Sequence, residues 1–259
     1  MKDLKGLIKK LLVIAGIIQA RMGSTRLPGK ILKKINGVAL LGYQVERVRK
    51  SSLLDKVVVA TSILDKDDIV EKFCKKNNIE CFRGSENDVL SRYYECAQRY
   101  NADIIVRLTA DCPLSDPKII DDTIKFYTNT KVDYVANTVP QETSKYPDGF
   151  DVEVFSMKAL KKAYEKVNDS NDREHVTFYF WKYNNGFKTA QLGNSKNYSK
   201  YRLTVDYPED FEIVEFVIKE LKKRNIFGHM DEIVEILDLN PAIREKNSKY
   251  HFGMGWKNQ

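Results

Sequence analysis

The sequence predicts an α/β protein with a mostly parallel mixed sheet and helices on both faces. Two observations lead there. From Leu12 to Tyr127, short apolar or β-branched runs alternate with segments whose apolar residues recur at helical spacing. The first of these runs, Leu12 to Ile18, has no polar alternation, as a strand buried on both faces requires, and it breaks abruptly into a loop of cations and glycines.

The loop after that first strand begins at Ala20. Gly23 and Gly29 permit backbone that brings amide hydrogens close to an anion, Ser24 and Thr25 add hydroxyl donors, and Arg21, Arg26 and Lys30 supply spaced charge. This is the chemistry of polyphosphate binding. It is not a P-loop: five residues separate the glycines, Ile31 stands where a metal-holding Ser or Thr belongs, and there is no GxGxxG. From spacing alone a basic surface loop remains open.

Next, Leu41, Val45 and Val48 share a helical face, and Lys56 to Thr61 reads as a second strand. A helix carrying Ile69, Val70, Phe73 and Cys74 follows the acidic start Asp65 to Asp68, then a short strand near Glu80 to Arg83. Gly84 to Asp88 leads into a helix with Val89, Leu90, Tyr93, Tyr94 and Ala97 inward. Asp103 to Leu108 is the fourth strand, and Asp116 with Pro117 caps and opens the next helix. Asn137 to Gly149 is too long for a routine connector and suits a pocket cover. A strand over Val152 to Phe155, helices over Lys158 to Val167 and Asp172 to Tyr183, and a last strand over Lys200 to Val205 are expected. Pro208 opens a helix with Phe211, Val214, Val217 and Leu221, and Met230, Ile233, Val234 and Leu237 form one more.

In such a sheet ligands gather at the carboxyl ends of the strands. The loop after Ile18 and the turn at Asp111 both lie there, so they are expected to face one crevice. Asp206 likewise follows a predicted strand. On the residues alone, each aspartate reads either as a cap or turn residue or as a ligand for a hard cation such as magnesium.

Composition narrows the partners. A chain of 259 residues with 42% hydrophobic content suits one domain spanning 1–259, with 1–10 as an N-terminal extension and 228–259 as a C-terminal helix and tail. The net charge of +7 is spread along the chain, which favours small anions over a nucleic-acid track. Cys74, Cys81, Cys96 and Cys112 include no CxxC pair, so neither a zinc site nor a disulfide framework is indicated. The lysines before Leu11 imitate a signal peptide, but cleavage near Ala20 would remove the first strand, and the apolar run is too short to span a bilayer. A cytoplasmic protein without membrane or nucleic-acid partners is expected.

The run Ala20-Arg-Met-Gly-Ser-Thr-Arg-Leu-Pro-Gly-Lys30 resembles the first signature of the cytidylyltransferases that make CMP-sialic acid and CMP-Kdo, and most of all their spore-coat polysaccharide relatives. Asp111-Cys-Pro-Leu and Val205-Asp-Tyr-Pro-Glu-Asp210 resemble two further elements of that family, as does Phe82-Arg-Gly-Ser-Glu-Asn-Asp-Val-Leu90 of the spore-coat branch. The resemblance covers nearly the whole length after residue 10. It implies a three-layer Rossmann-like nucleotidyltransferase fold, a homodimer, and magnesium held by Asp111 and Asp206.

It further implies a nucleotide site of Ala20, Arg21, Gly23, Ser24, Arg26, Lys30, Arg83, Ser85 and Asp88, with Arg21, Lys30 and the two aspartates as the catalytic set. The acceptor side is expected from Arg107, from Tyr146, Asp148, Gly149 and Glu153, and from Arg173 and His175. Gln19 departs from the Pro usual in the sialic acid and Kdo enzymes, which places the chain with the spore-coat branch. The implied activity is transfer of CMP from CTP to a sugar acid or related surface-polysaccharide precursor, with release of pyrophosphate. Another nucleoside triphosphate with a phosphorylated acceptor, or a non-catalytic nucleotide- or nucleic-acid-binding protein, are the alternatives.

Overall fold

The computed structural model describes residues 12–254. The extension 1–10 and Trp256 lie outside them. In chain order the elements are β1 (Ile14–Gln19), β2 (Lys34–Ile35), β3 (Val38–Ala39), α1 (Leu40–Val48), β4 (Lys56–Ser62), α2 (Asp68–Lys76), β5 (Glu80–Gly84), α3 (Val89–Arg99), β6 (Ile104–Thr109) and α4 (Pro117–Asn129). There follow β7 (Tyr134–Ala136), β8 (Glu153–Ser156), α5 (Met157–Lys166), α6 (Ser170–His175), α7 (Phe178–Trp181), β9 (Thr189–Gln191), α8 (Pro208–Arg224), α9 (Met230–Asp238) and α10 (Pro241–Arg244).

Seven strands make one sheet in the order β5-β4-β1-β6-β8-β7-β9, in which β8 runs against both its neighbours and the other pairs are parallel. The order reverses between β1 and β6. Two-residue alternation divides the apolar side chains between the faces. Ile18, Val59, Val106, Leu108 and Val154 join a core with α1, α4, α8 and α9. Ala15, Ile17, Val58, Ala60, Ile105 and Phe155 join another with α3, α5 and Phe180. The sheet is therefore the middle of three layers, as expected. The C-terminal helix α9 belongs to the first core through Ile233, Val234, Ile236 and Leu237. No described helix is long and apolar enough to cross a membrane.

Three expectations change, and one element is added. Lys200 to Val205 is extended but is no strand of the sheet: its one ladder contact is a bridge between Arg202 and Asp148. Leu203 and Val205 are buried, so the alternation is real, yet the backbone bonds go to loops, Leu203 N to Asp148 O (2.7 Å) and Val205 N to Asp111 O (2.8 Å). The predicted helix from Asp172 to Tyr183 is broken at Val176, whose φ is +60°. Val176, Phe178 and Phe180 are all buried, and positions two apart do not share one face of a continuous helix. Ile69 is half exposed, outside the buried face of α2. The chain also forms a small hairpin, β2–β3, turned by Asn36 and Gly37, both at positive φ, as a two-residue hairpin loop requires.

Candidate active site

Because the strand order reverses between β1 and β6, the loops that leave their carboxyl ends open side by side. Gln44 of α1 fastens the second loop by donating to Thr109 O (2.8 Å) and Ser115 Oγ (3.2 Å). Asp116 caps α4 through Lys118 N (2.8 Å). Between the loops lies a cavity of about 200 Å³ lined by Arg21, Gly23, Ser24, Arg26, Lys30, Asp111 and Asp206 among others. Ala20, buried beneath it, bonds Ala60 O.

Lys30 is the hub. Its Nζ donates to Asp206 Oδ1 (2.7 Å) and Asp111 Oδ2 (3.1 Å), and Arg26 pairs with Asp206 at 3.0 Å. Burial alone would push the Lys30 ammonium down, but Asp111 and Asp206 override it and hold the pKa above its ordinary value. Burial would raise Asp206, yet Lys30, Arg26 and Arg202 hold its carboxyl far below the usual range. The anionic charge of Asp206 is thus kept in place by cations of the kind that a polyphosphate also attracts.

A second cavity, about 210 Å³, shares Arg26, Thr109, Asp111 and Asp206 with the first and continues past Asp148, Asp151 and Glu153 to Phe178 and Trp181. Strand register builds part of its floor: Arg107 of β6 faces Glu153 of β8, and their side chains pair at 2.9 Å. Burial would lower Arg107, and the Glu153 charge raises it instead. Asp151 accepts from Thr138 Oγ1 (2.6 Å) and Gly149 N (2.8 Å), but burial pushes its pKa up to about 6. Burial and the neighbouring Asp151 push Asp148 up as well, against the attraction of Arg202. The His175 ring lies 4.2 Å from that of Phe178, and burial with the Arg107 charge lowers its pKa to about 4.

Gly149 has a conformational reason. Its φ is +104°, and a Cβ there would lie 2.3 Å from Thr204 N, so only glycine lets the Asp148 loop meet the Leu203–Thr204 backbone. That meeting brings in Arg202, which sequence reasoning missed. Arg202 reaches Asp148 (2.6 Å), Asp206 (3.0 Å) and Asp210 (3.1 Å), so one guanidinium spans both sides of the site. The available signal was Arg202, Asp206 and Asp210 at four-residue spacing.

The structure therefore gathers Arg21, Gly23, Ser24, Arg26, Lys30, Asp111 and Asp206 on the first cavity, and Arg107, Asp148, Glu153 and His175 on the second. Besides Ala20 and Gly149, which act through the backbone, five other candidates line neither. Arg83 is held by Asp68 (2.7 Å) and Glu71 (2.9 Å). Ser85 accepts from Asp88 N, and Asp88 caps α3 and pairs with Arg173 at 2.7 Å. Tyr146 donates to Gly193 O (3.2 Å) beside a separate cavity of about 440 Å³.

A reversing parallel sheet with cations and aspartates converging at its switch point defines an α/β nucleotide-handling protein. The chain belongs to the cytidylyltransferase family, whose model matches residues 15–240. It is 37% identical over 239 residues to an uncharacterized protein of Methanocaldococcus jannaschii, covering 91% of this chain and 94% of that one. It is 32% identical over 234 residues to the spore coat polysaccharide biosynthesis protein SpsF of Bacillus subtilis, covering 87% and 94%. A cytidylyltransferase from Leptospira borgpetersenii superposes with a TM-score of 0.85 at 36% identity, covering 93% of this chain and all of that chain. The chain is thus a nucleotidyltransferase by family.

Proposed function

We propose that this enzyme transfers CMP from CTP to a sugar acid or related precursor of a surface polysaccharide, with magnesium, and releases pyrophosphate. The observation that carries the reading is that two cavities meet at Asp111 and Asp206, one rich in cations and hydroxyl donors, the other lined by carboxylates and aromatic rings. The acceptor oxygen bonds to the α-phosphorus while the bond from that phosphorus to the β-phosphate oxygen breaks, so pyrophosphate leaves toward Arg21 and Lys30. Those cations, released from their carboxylate partners, balance the developing charge. A hydroxyl acceptor releases its proton to Asp151, whose raised pKa suits proton acceptance near neutrality.

The donor set fits magnesium. Two carboxylates converge on one cation, the Lys30 ammonium, and magnesium takes one or two carboxylates with phosphate oxygens and water. Among the described residues no group of three or more His, Cys, Asp and Glu could hold a metal, so phosphate oxygens and water would supply the other ligands. Asp111 and Asp206 would hold the ion, which neutralises phosphate charge when bound. The proposal includes a homodimer, as the resemblance implies, and a cytoplasmic location, as expected from the short N-terminal apolar run; sedimentation tests the assembly. The decisive experiment is pyrophosphate release with each of the four triphosphates, magnesium, and a panel of acidic and phosphorylated sugars. CTP-dependent release with a CMP-linked product is expected; turnover with GTP or UTP but not CTP overturns the donor.

A further inference from the structure

The family model ends at residue 240, yet the chain beyond it is built into the site. Asn247 is buried and donates to Asp210 Oδ1 (2.8 Å) and Arg202 O (3.0 Å), which braces the guanidinium that joins Asp148 to Asp206. Three residues on, the Tyr250 ring stacks on Tyr207 with centroids 3.7 Å apart and planes within 4°. Its hydroxyl donates to Glu209 (3.1 Å), and Lys249 pairs with the same carboxylate. Arg26 of the donor loop lies over Tyr207, 5.3 Å from the ring centre. These contacts fix the direction in which the chain leaves Tyr250, and they deliver Phe252, Gly253 and Met254 to the wall of the cavity that holds Asp148, Asp151 and Glu153. Phe252 also borders the 440 Å³ cavity, so its ring stands where the two spaces adjoin.

We propose that the segment Asn247–Met254 is the acceptor-selecting wall of this enzyme, with Phe252 giving an aromatic face to the apolar side of a polyhydroxylated ring. The chemistry is complementary. Hydroxyls donate to carboxylates, while the C–H face of such a ring lies against an aromatic one. The guanidiniums of Arg107 and Arg202 are paired with Glu153 and Asp148, whereas Asp151 accepts from the neutral donors Thr138 and Gly149, so a hydroxyl group in this cavity meets the Asp151 carboxylate. Selection of the acceptor therefore involves a stretch outside the matched family core, and Phe252 itself is absent from the lining of the donor cradle. This rests on the second cavity being the acceptor site.

The test uses the full chain carrying Trp256→Phe, which leaves Trp181, on the same cavity, as its one tryptophan. In that background Phe252→Ala raises acrylamide quenching of Trp181, with no substrate needed. With CTP, magnesium and the sugar panel, Phe252→Ala raises the KM of the acceptor that turns over by about tenfold and leaves the KM for CTP unchanged. Phe252→Leu, which keeps apolar bulk without the ring, recovers the quenching but not the KM. Unchanged quenching in Phe252→Ala, equal rises in both KM values, or full rescue of KM by Leu each overturns the proposal. Absence of turnover with every triphosphate would refute the transfer reading alone, since quenching still decides whether Phe252 covers the cavity.

Discussion

The donor cradle takes most of its cations and hydroxyls from consecutive residues, Arg21 to Lys30, on a single loop, whereas the neighbouring cavity draws on β6, β8, the Asp148 loop, α6, α7, the Arg202 segment and the C-terminal stretch. A cradle of this kind needs only charge and backbone reach, because a phosphate is recognised much the same wherever it sits. The second cavity must match a shape, so it depends on strand register, on a glycine at one close approach and on buried ion pairs. Under the proposed reading one side can persist while the other is rebuilt, so that one donor cradle serves different acceptors.

The largest test of that division strikes what both sides share. Asp111→Asn removes a carboxylate common to the two cavities and should lower magnesium-dependent turnover about a thousandfold with the melting temperature little changed. Steady-state pyrophosphate release checks it, and wild-type rates would remove Asp111 from the chemistry. Next in size, Arg202→Ala leaves Asp148, Asp206 and Asp210 without their common partner in a nearly buried position. Breaking a buried pair costs about 3–5 kcal/mol. Urea denaturation should show a loss of that order, and Arg202→Lys should recover only part, because a point charge cannot serve three carboxylates as a planar guanidinium does.

A smaller and one-sided effect is expected at Arg21, whose guanidinium pairs with Glu174 at 3.0 Å. Arg21→Ala should raise the KM for CTP about tenfold and leave that for the acceptor unchanged, since a single charge-assisted contact is worth about that much. Separate saturation curves for the two substrates read it directly. A shift confined to the acceptor would place Arg21 on the wrong side.

The same contrast explains what could be read in advance. The cradle was legible because its residues are contiguous, and Asp111 and Asp206 through the family resemblance of the motifs around them, although the segment before Asp206 is no strand of the sheet. Arg202 was hidden by a pattern that was true but ambiguous. Alternating burial of Leu203 and Val205 reads as a strand, and only the three-dimensional course shows the backbone bonds going to Asp111 and Asp148 instead. The kink at Val176 was masked by apolar residues that fit a helix loosely, and β9, three residues long with no residue fully buried, carries almost no periodic signal. The Asn36-Gly37 turn was present in plain form and is a hairpin signal wherever short β-branched or apolar residues flank it.

The finest test concerns protons and confines itself to the second cavity. His175, with its pKa lowered to about 4 by burial and the Arg107 charge, is neutral in the folded enzyme at neutral pH, while in the unfolded chain it titrates near 6.5. Between those values the unfolded chain binds the extra proton, so the stability His175 contributes is complete above pH 6.5 and is lost as pH falls toward 4. Asp151 works with the opposite sign. Its pKa, raised to about 6, makes the folded enzyme hold a proton that the unfolded chain releases, so its contribution weakens as pH rises from about 4 to 6. The two slopes offset each other in the wild type. His175→Gln removes one of them, and its melting temperature relative to wild type should rise as pH is lowered from 6.5 to 4.5, while Asp151→Asn should show the reverse. CTP affinity, which the proposed function assigns to the cradle, should follow neither. Parallel melting profiles for the wild type and His175→Gln would mean that the imidazole is not held neutral by its surroundings.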